Sequence, residues 1–332
     1  MSSDLAARVR KKLMECGERR GEIERAALMI RDGGLVAFPT ETVYGLGANA
    51  LNERAVALIY EAKGRPSDNP IIVHVSNIAM VEEMAELNSE ARLLMEEFWP
   101  GPLSLVLKAK LTVPAKTRGG LATIAVRMPD NALALALIEA AGVPIAAPSA
   151  NISGRPSPTD AHAVKQDLGD SVAVVLDGGA TKVGLESTVL DVSGERLLLL
   201  RPGGISEEEI EKVLGVEILP ARSEEEKKRS PGTRYRHYAP SVPLLLVKED
   251  EEFWPEVEAS GKKWAWLGVN EPRSAPHRKI LFADEAEYAR ELFRALRILE
   301  KSGAEIIIAE PPNEKGIGTA LKDRLTRAAE NC

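Results

Sequence analysis

At 332 residues, 44% hydrophobic and 28% charged, the chain is long enough for about two domains and apolar enough to give each a core. A net charge of −7 excludes a broad polycationic surface for nucleic acid, so any anion site must be local, built from a few Arg and Lys. Only Cys16 and Cys332 are present, which fits neither a disulfide framework nor a zinc site; with no signal-peptide or membrane-spanning run, a cytoplasmic protein is expected.

The first thirty residues are charged and periodic like a helix, with a helix expected at Ile23 to Arg31. The strand Leu35 to Pro39, a polar loop containing Thr42, and the helix Glu53 to Ala62 follow. Such a strand–loop–helix unit usually cradles phosphate, yet neither GxxxxGK[ST] nor GxGxxG is there. If phosphates bind, they must be held by Lys63 and Arg65 in the stiff turn from Lys63 to Pro70, whose Ser67, Asp68 and Asn69 favour turns. The competing reading is a helix C-terminus whose cations merely complement the dipole.

Next, Ile71 to Val75 alternates so that His74 shares a face with Ile72 while Val73 packs opposite. A helix at Ser89 to Phe98 precedes strands Leu103 to Lys108 and Thr123 to Met128. Arg127, a charge on a mostly apolar strand, needs a partner: a substrate carboxylate, Glu186 or Asp191. After the helix Ala132 to Ala141, the strand Ile145 to Pro148 runs into Ser149-Ala150-Asn151, polar groups where α/β sheets bind ligands. The helix Thr159 to Leu168, strands Val172 to Asp177, Thr188 to Val192 and Arg196 to Leu200, and the helix Ser206 to Leu214 with a Ser206/Glu209 capping box complete this part. Strands that follow one another without a helix argue for a mixed sheet.

Beyond Gly215 the periodicity lapses. A charge run and Ser230-Pro231-Gly232 lead into Arg234, Tyr235, Arg236, His237 and Tyr238, a segment able to close over a nucleotide like a lid or simply to pack between domains. A second α/β pattern begins at Val242: strands Leu244 to Val247, Trp264 to Val269, Lys279 to Ala283 and Glu305 to Ala309, with helices at Glu252 to Ala259, Glu285 to Lys301 and Thr319 to Ala329. The expected division is 1–215, a linker or lid at 216–241, and a small Rossmann-like domain at 242–332.

In this order, FPTETVYGLG, KGRPSDNP, PSANISG, ESTV and LRPGG resemble the YrdC-like family, whose hallmark pairs Lys-x-Arg with Ser-x-Asn, here Lys63-x-Arg65 and Ser149-x-Asn151. SPGTRYRHYAP and the second α/β pattern resemble its long form. The resemblance implies a YrdC-like domain with a twisted mixed sheet flanked by helices, plus the small Rossmann-like domain. It implies nucleotidyl transfer in which L-threonine, bicarbonate and ATP with Mg²⁺ give threonylcarbamoyl-adenylate and pyrophosphate, the first step of tRNA t6A modification, before a separate transferase acts on tRNA. Lys63 and Arg65 would serve the phosphates catalytically, and no metal ligand from protein side chains is implied. Arg65, Asn69, Thr123, Ser149, Asn151, Ser157, Arg201 and Tyr238 would hold ATP; Thr42, His74, Arg127, Ala147 and Ser187 would hold threonine. The family's association with double-stranded RNA implies at most weak RNA binding here, given the negative net charge. The carbamoyl-adenylate-forming relatives carry Cys-rich zinc motifs, which two isolated cysteines cannot supply.

Overall fold

The computed structural model describes residues 3–14, 19–232, 237–247 and 253–329; Cys16, Cys332, Arg234, Tyr235 and Arg236 lie outside them. Two helices, α1 (Ser3–Met14) and α2 (Arg20–Arg31), precede a ten-stranded sheet. Its strands are β1 (Val36–Phe38), β2 (Gly45–Asn49), β3 (Val73–His74), β4 (Leu103–Lys108), β5 (Thr123–Arg127), β6 (Ile145–Ala146), β7 (Val174–Val175), β8 (Thr188–Asp191), β9 (Leu198–Arg201) and β10 (Leu219–Pro220), in the order β10-β9-β8-β4-β5-β3-β6-β2-β1-β7. Parallel pairs (β3·β5, β4·β8) alternate with antiparallel ones (β4·β5, β3·β6, β8·β9), so the sheet is mixed, as the helix-free strand connections imply.

Between the strands lie α3 (Glu53–Lys63), α4 (Ile78–Met84), α5 (Ser89–Phe98), α6 (Ala132–Ala141), α7 (Ala161–Leu168) and α8 (Glu207–Leu214). Their ends follow local chemistry. Asn52 caps α3 by accepting from Arg54 N and Ala55 N, and Gly64 closes it in the left-handed region (φ 60°). The capping box of α8 forms between Ser206 and Glu209 as expected. Helix α6 is apolar nearly all round because it is wedged against α2 and the sheet, burying Leu137 and Ile138 beside Ile30, Val36 and Phe38.

The stretch expected as a linker begins differently. Leu219 and Pro220 add β10 in parallel to β9, and the charge run forms the short helix α9 (Glu224–Lys227) behind a Ser223/Glu226 capping box. The second domain has a four-stranded all-parallel sheet of β11 (Leu244–Leu246), β12 (Trp264–Gly268), β13 (Arg278–Leu281) and β14 (Ile306–Ala309), ordered β11-β14-β12-β13. With α10 (Phe253–Ala259), α11 (Glu285–Leu299) and α12 (Ile317–Ala329), it builds the Rossmann-like layer structure expected from alternating strands and helices.

Among the described residues, α11, its C-terminal Glu300 and α12 dock on the first domain through three arginine–carboxylate pairs. Arg297 grips Asp167 with both terminal nitrogens (2.8 and 2.7 Å), and Arg155 grips Glu300 the same way (2.9 and 2.6 Å). The third joins Arg324 to Glu186 at 2.7 Å. Gly184, at φ 79°, lies where any Cβ would collide with the Arg290 backbone of α11, so glycine is needed both for the dihedral and for the close approach. Among the described residues, no helix is long and apolar enough to cross a membrane.

Candidate active site

The loop between β1 and β2 is shaped by its own hydroxyls. Thr40 Oγ1 accepts from Thr42 N and Val43 N (both 3.2 Å) and donates to Val43 O (2.6 Å), folding the polar run back as a side-chain-stabilised turn. That turn aims Thr42 at β5. The parallel register of β3 and β5 sets His74 directly beside Arg127. Strand alternation turns Ile72 and His74 to a cleft while Val73 enters the main core.

The cleft encloses about 580 Å³, part of it open to solvent. At one end Arg127 donates Nε to Gly101 O (3.1 Å) and Nη1 to Thr42 Oγ1 (2.9 Å), and its Nη2 lies 2.6 Å from Glu41. Both partners of the Glu41–Arg127 pair are 4% exposed. The protein's own counter-charge is therefore Glu41. Neither Glu186 nor Asp191 fills that role: Asp191 is taken by Arg229 (2.8 Å), and Glu186 by Ser157 and Arg324. His74 meets the Phe38 ring edge-on at 5.9 Å. Burial, reinforced by the Arg127 charge, lowers its pKa to about 3, so the imidazole is neutral at physiological pH.

The other end is cationic. Arg65 lines it and is anchored by donation to Pro70 O at 3.0 Å. Arg201 donates to Ser187 O (3.0 Å) and Pro231 O (3.1 Å). Burial first, then Arg65, Lys63 and Arg201, drives the pKa of His237 down to about 3. Such a concentration of fixed positive charge is a ready environment for phosphates. Gly203 of the LRPGG run is forced by crowding, since a Cβ there would strike the Ser187–Thr188 backbone.

Lys63 and the Ser149–Asn151 loop prove to be one mechanical unit. Lys63 Nζ donates to Ser149 O at 2.6 Å and to Asn151 O, while Ser153 N returns a bond to Lys63 O at 2.9 Å. The Asn151 amide donates to Ile152 O and Arg155 O, both at 2.8 Å, holding the loop in shape. Burial, then the Arg65 charge, pulls the Lys63 pKa well below its usual value. The two halves of the sequence hallmark thus touch each other.

Thr42, Arg65, His74, Arg127, Ala147, Ser149, Ser187, Arg201 and Tyr238 line the cleft. Lys63 and Asn151 sit behind its wall. Asn69 is buried in the turn, its carbonyl accepting from Tyr60 Oη at 3.1 Å. Thr123 opens β5 opposite Lys108, and Ser157 donates to Glu186 at 2.5 Å. Tyr238 is 4% exposed, at φ 63°, with its ring stacked on Phe293 of α11 at 5.3 Å. Sequence reasoning missed Glu41, although it sits directly before Thr42, which was singled out. It also missed Arg324, which resembles any other charge on an amphipathic helix.

Two family profiles match this chain. One, described as telomere recombination and covering the Sua5, YciO and YrdC proteins, spans residues 28–203. The other, described as threonylcarbamoyl-AMP synthase, C-terminal domain, spans 205–330. The threonylcarbamoyl-AMP synthase of Pyrococcus abyssi is 47% identical over 93% of this chain and 94% of its own length. That of Bacillus subtilis is 45% identical over 93% of each chain. The crystal structure of P. abyssi Sua5 complexed with L-threonine superposes with a TM-score of 0.88 at 46% identity, covering 94% of this chain and 95% of that one.

Proposed function

The chain belongs to the threonylcarbamoyl-AMP synthase family, and from that membership we propose how its cleft divides the work between two substrates. The enzyme makes threonylcarbamoyl-AMP from ATP and L-threonine, the first step toward the t6A modification of tRNA. Bicarbonate or CO₂ supplies the carbamoyl carbon in this proposal.

The observation that supports it is one cleft lined at one end by Arg127 and Thr42 and at the other by Arg65 and Arg201. At the first end, Arg127 and Thr42 receive the threonine carboxylate, beside neutral His74, Ser187 and the Ala147 main chain. A neutral imidazole there adds no repulsion to the substrate amine, which must lose its proton to capture CO₂. At the second end, Arg65 and Arg201 face the triphosphate, with Ser149 and Tyr238 on the nucleotide. Asn69, Thr123, Asn151 and Ser157 support that end in our reading. Lys63 fixes the Ser149 loop and contributes charge behind it.

No enzyme nucleophile is required. The threonine amine attacks CO₂ and loses a proton, forming a carbamate. A carbamate oxygen then attacks the α-phosphorus of ATP; the bond from that phosphorus to the bridging oxygen breaks, and pyrophosphate leaves with the electron pair. The protein's task is positioning and stabilisation of charge developing on the leaving group. Both carboxylates at the cleft are engaged, Glu41 by Arg127 and Glu186 by Ser157 and Arg324. No cluster of three or more His, Cys, Asp or Glu able to hold a metal lies among the described residues. Mg²⁺ would enter with the ATP phosphates, whose charge it would neutralise.

The product then passes to a separate threonylcarbamoyl transferase in the cytoplasm, and direct RNA contact by this chain is weak in our reading. The test is pyrophosphate release from ATP by the full-length chain. Release is expected only with both threonine and bicarbonate present; a rate unchanged on omitting threonine would overturn the assignment.

A further inference from the structure

Among the described residues, three arginine–carboxylate pairs dock the second domain, and of these only Arg324–Glu186 reaches the cleft. Arg297–Asp167 and Arg155–Glu300 lie away from it, so docking alone does not require a charge at Arg324. Yet Arg324 has no solvent exposure at all. Its Nε donates to Glu186 at 2.7 Å, its Nη2 donates to Pro202 O at 3.0 Å, and its guanidinium lies 5.4 Å from the centre of the Tyr238 ring. Glu186 and Tyr238 both line the cleft, and the second oxygen of Glu186 accepts from Ser157 at 2.5 Å.

A buried guanidinium is costly to desolvate, and an apolar side chain of similar volume would serve docking as well or better. What an arginine adds is direction: a rigid fork that fixes its partners' orientation. We propose that Arg324 is a positioning residue of the ATP end of the cleft. Through it the second domain holds Glu186, and with it Ser157, and supports Tyr238 from behind. The second domain is then part of the active-site wall rather than an appended module. This rests on the reading that Arg65, Arg201 and Tyr238 mark the ATP end.

The experiment is steady-state pyrophosphate release by the full-length chain, with KM for ATP and for threonine measured separately and melting temperature alongside. Arg324→Met alone leaves Glu186 buried without its counter-charge, so a loss of folding is possible. The double variant Arg324→Met/Glu186→Gln removes both charges of that pair while keeping an acceptor for Ser157; Asp323, which also accepts from Arg324 Nη1 at 2.5 Å, keeps Arg327 as its counter-charge. It is expected to melt close to the parent, with KM for ATP raised roughly tenfold or more and KM for threonine changed less than about threefold. A folded double variant with parental KM for ATP overturns the proposal, as does an equal rise in both constants. Arg65→Ala separates the two levels. If it too keeps the parental KM for ATP, the reading of the cleft fails; if it is impaired while the double variant is not, only the role of Arg324 fails.

Discussion

Removing Arg127 is expected to erase threonine binding, but the perturbation must take Glu41 with it. In Arg127→Met, the Glu41 carboxylate stays buried after losing a partner 2.6 Å away. Breaking one side of a buried pair costs about 3–5 kcal/mol, enough to confuse unfolding with lost affinity. Arg127→Met/Glu41→Gln removes both charges. What then remains is the lost donation to Gly101 O and Thr42 Oγ1, about 1–3 kcal/mol of stability. Against that, the threonine carboxylate loses charge-assisted hydrogen bonds that contribute about 1.5–3 kcal/mol. At about 1.4 kcal/mol per tenfold, the dissociation constant should rise roughly tenfold to a hundredfold. Calorimetric titration with L-threonine, beside a melting curve, reads both quantities, and ATP affinity is the internal control. A folded double variant that binds threonine within about twofold of the parent would refute the carboxylate role of Arg127.

Two further outcomes follow from the buried groups and the domain contact. His74 and His237 stay neutral in the folded chain down to about pH 3, whereas the unfolded chain protonates them near 6.5. The unfolded state therefore binds more protons in that window, so their contribution is intact above pH 6.5 and stability falls as pH drops toward 3. The loss is on the order of 4–5 kcal/mol per histidine at 1.36 kcal/mol per pH unit. Urea midpoints at pH 7, 5 and 4 should show the decline, and His74→Asn should make it shallower by the His74 share, leaving that of His237; an unchanged slope would count against the shift. Gly184→Ala should loosen the second domain, because alanine at φ 79° costs about 1–3 kcal/mol even before its overlap with the Arg290 backbone. Faster proteolysis between the domains is the expected sign, and parental resistance would contradict it.

Much of the architecture was legible because its strands are apolar and its helices carry their own end signals. Leu103 to Lys108 and the capping box of α8 stand as the sequence suggested. Strand β2 was not readable: Gly45, Gly47 and Asn49 leave no alternation to detect. It exists because Gly47, lacking a side chain, allows Phe38 and Ile145 to close on the backbone. Helix α4 is too short at 7 residues to show a period. At the site, motif residues announced themselves by type and order, but partners did not. Glu41 finds Arg127 across 86 positions only because β5 lies beside β3 and Thr40 turns the loop. Nothing local to Arg324 distinguishes it from the charges around it on α12.

The contact between Glu186 and Arg324 also sets an order in time. The two stand 138 positions apart, so at ribosomal rates of about 5–20 residues per second, roughly 7 to 28 s separate their synthesis. Throughout that interval the nascent first domain carries Glu186 at its cleft without the Arg324 guanidinium that grips it in the finished chain. Until α12 arrives, the Glu186 oxygen that Arg324 holds must take its hydrogen bond from elsewhere, while Ser157 keeps the other. The enzyme thus emerges from the ribosome unfinished, and translation of its second domain is the final step in assembling the first.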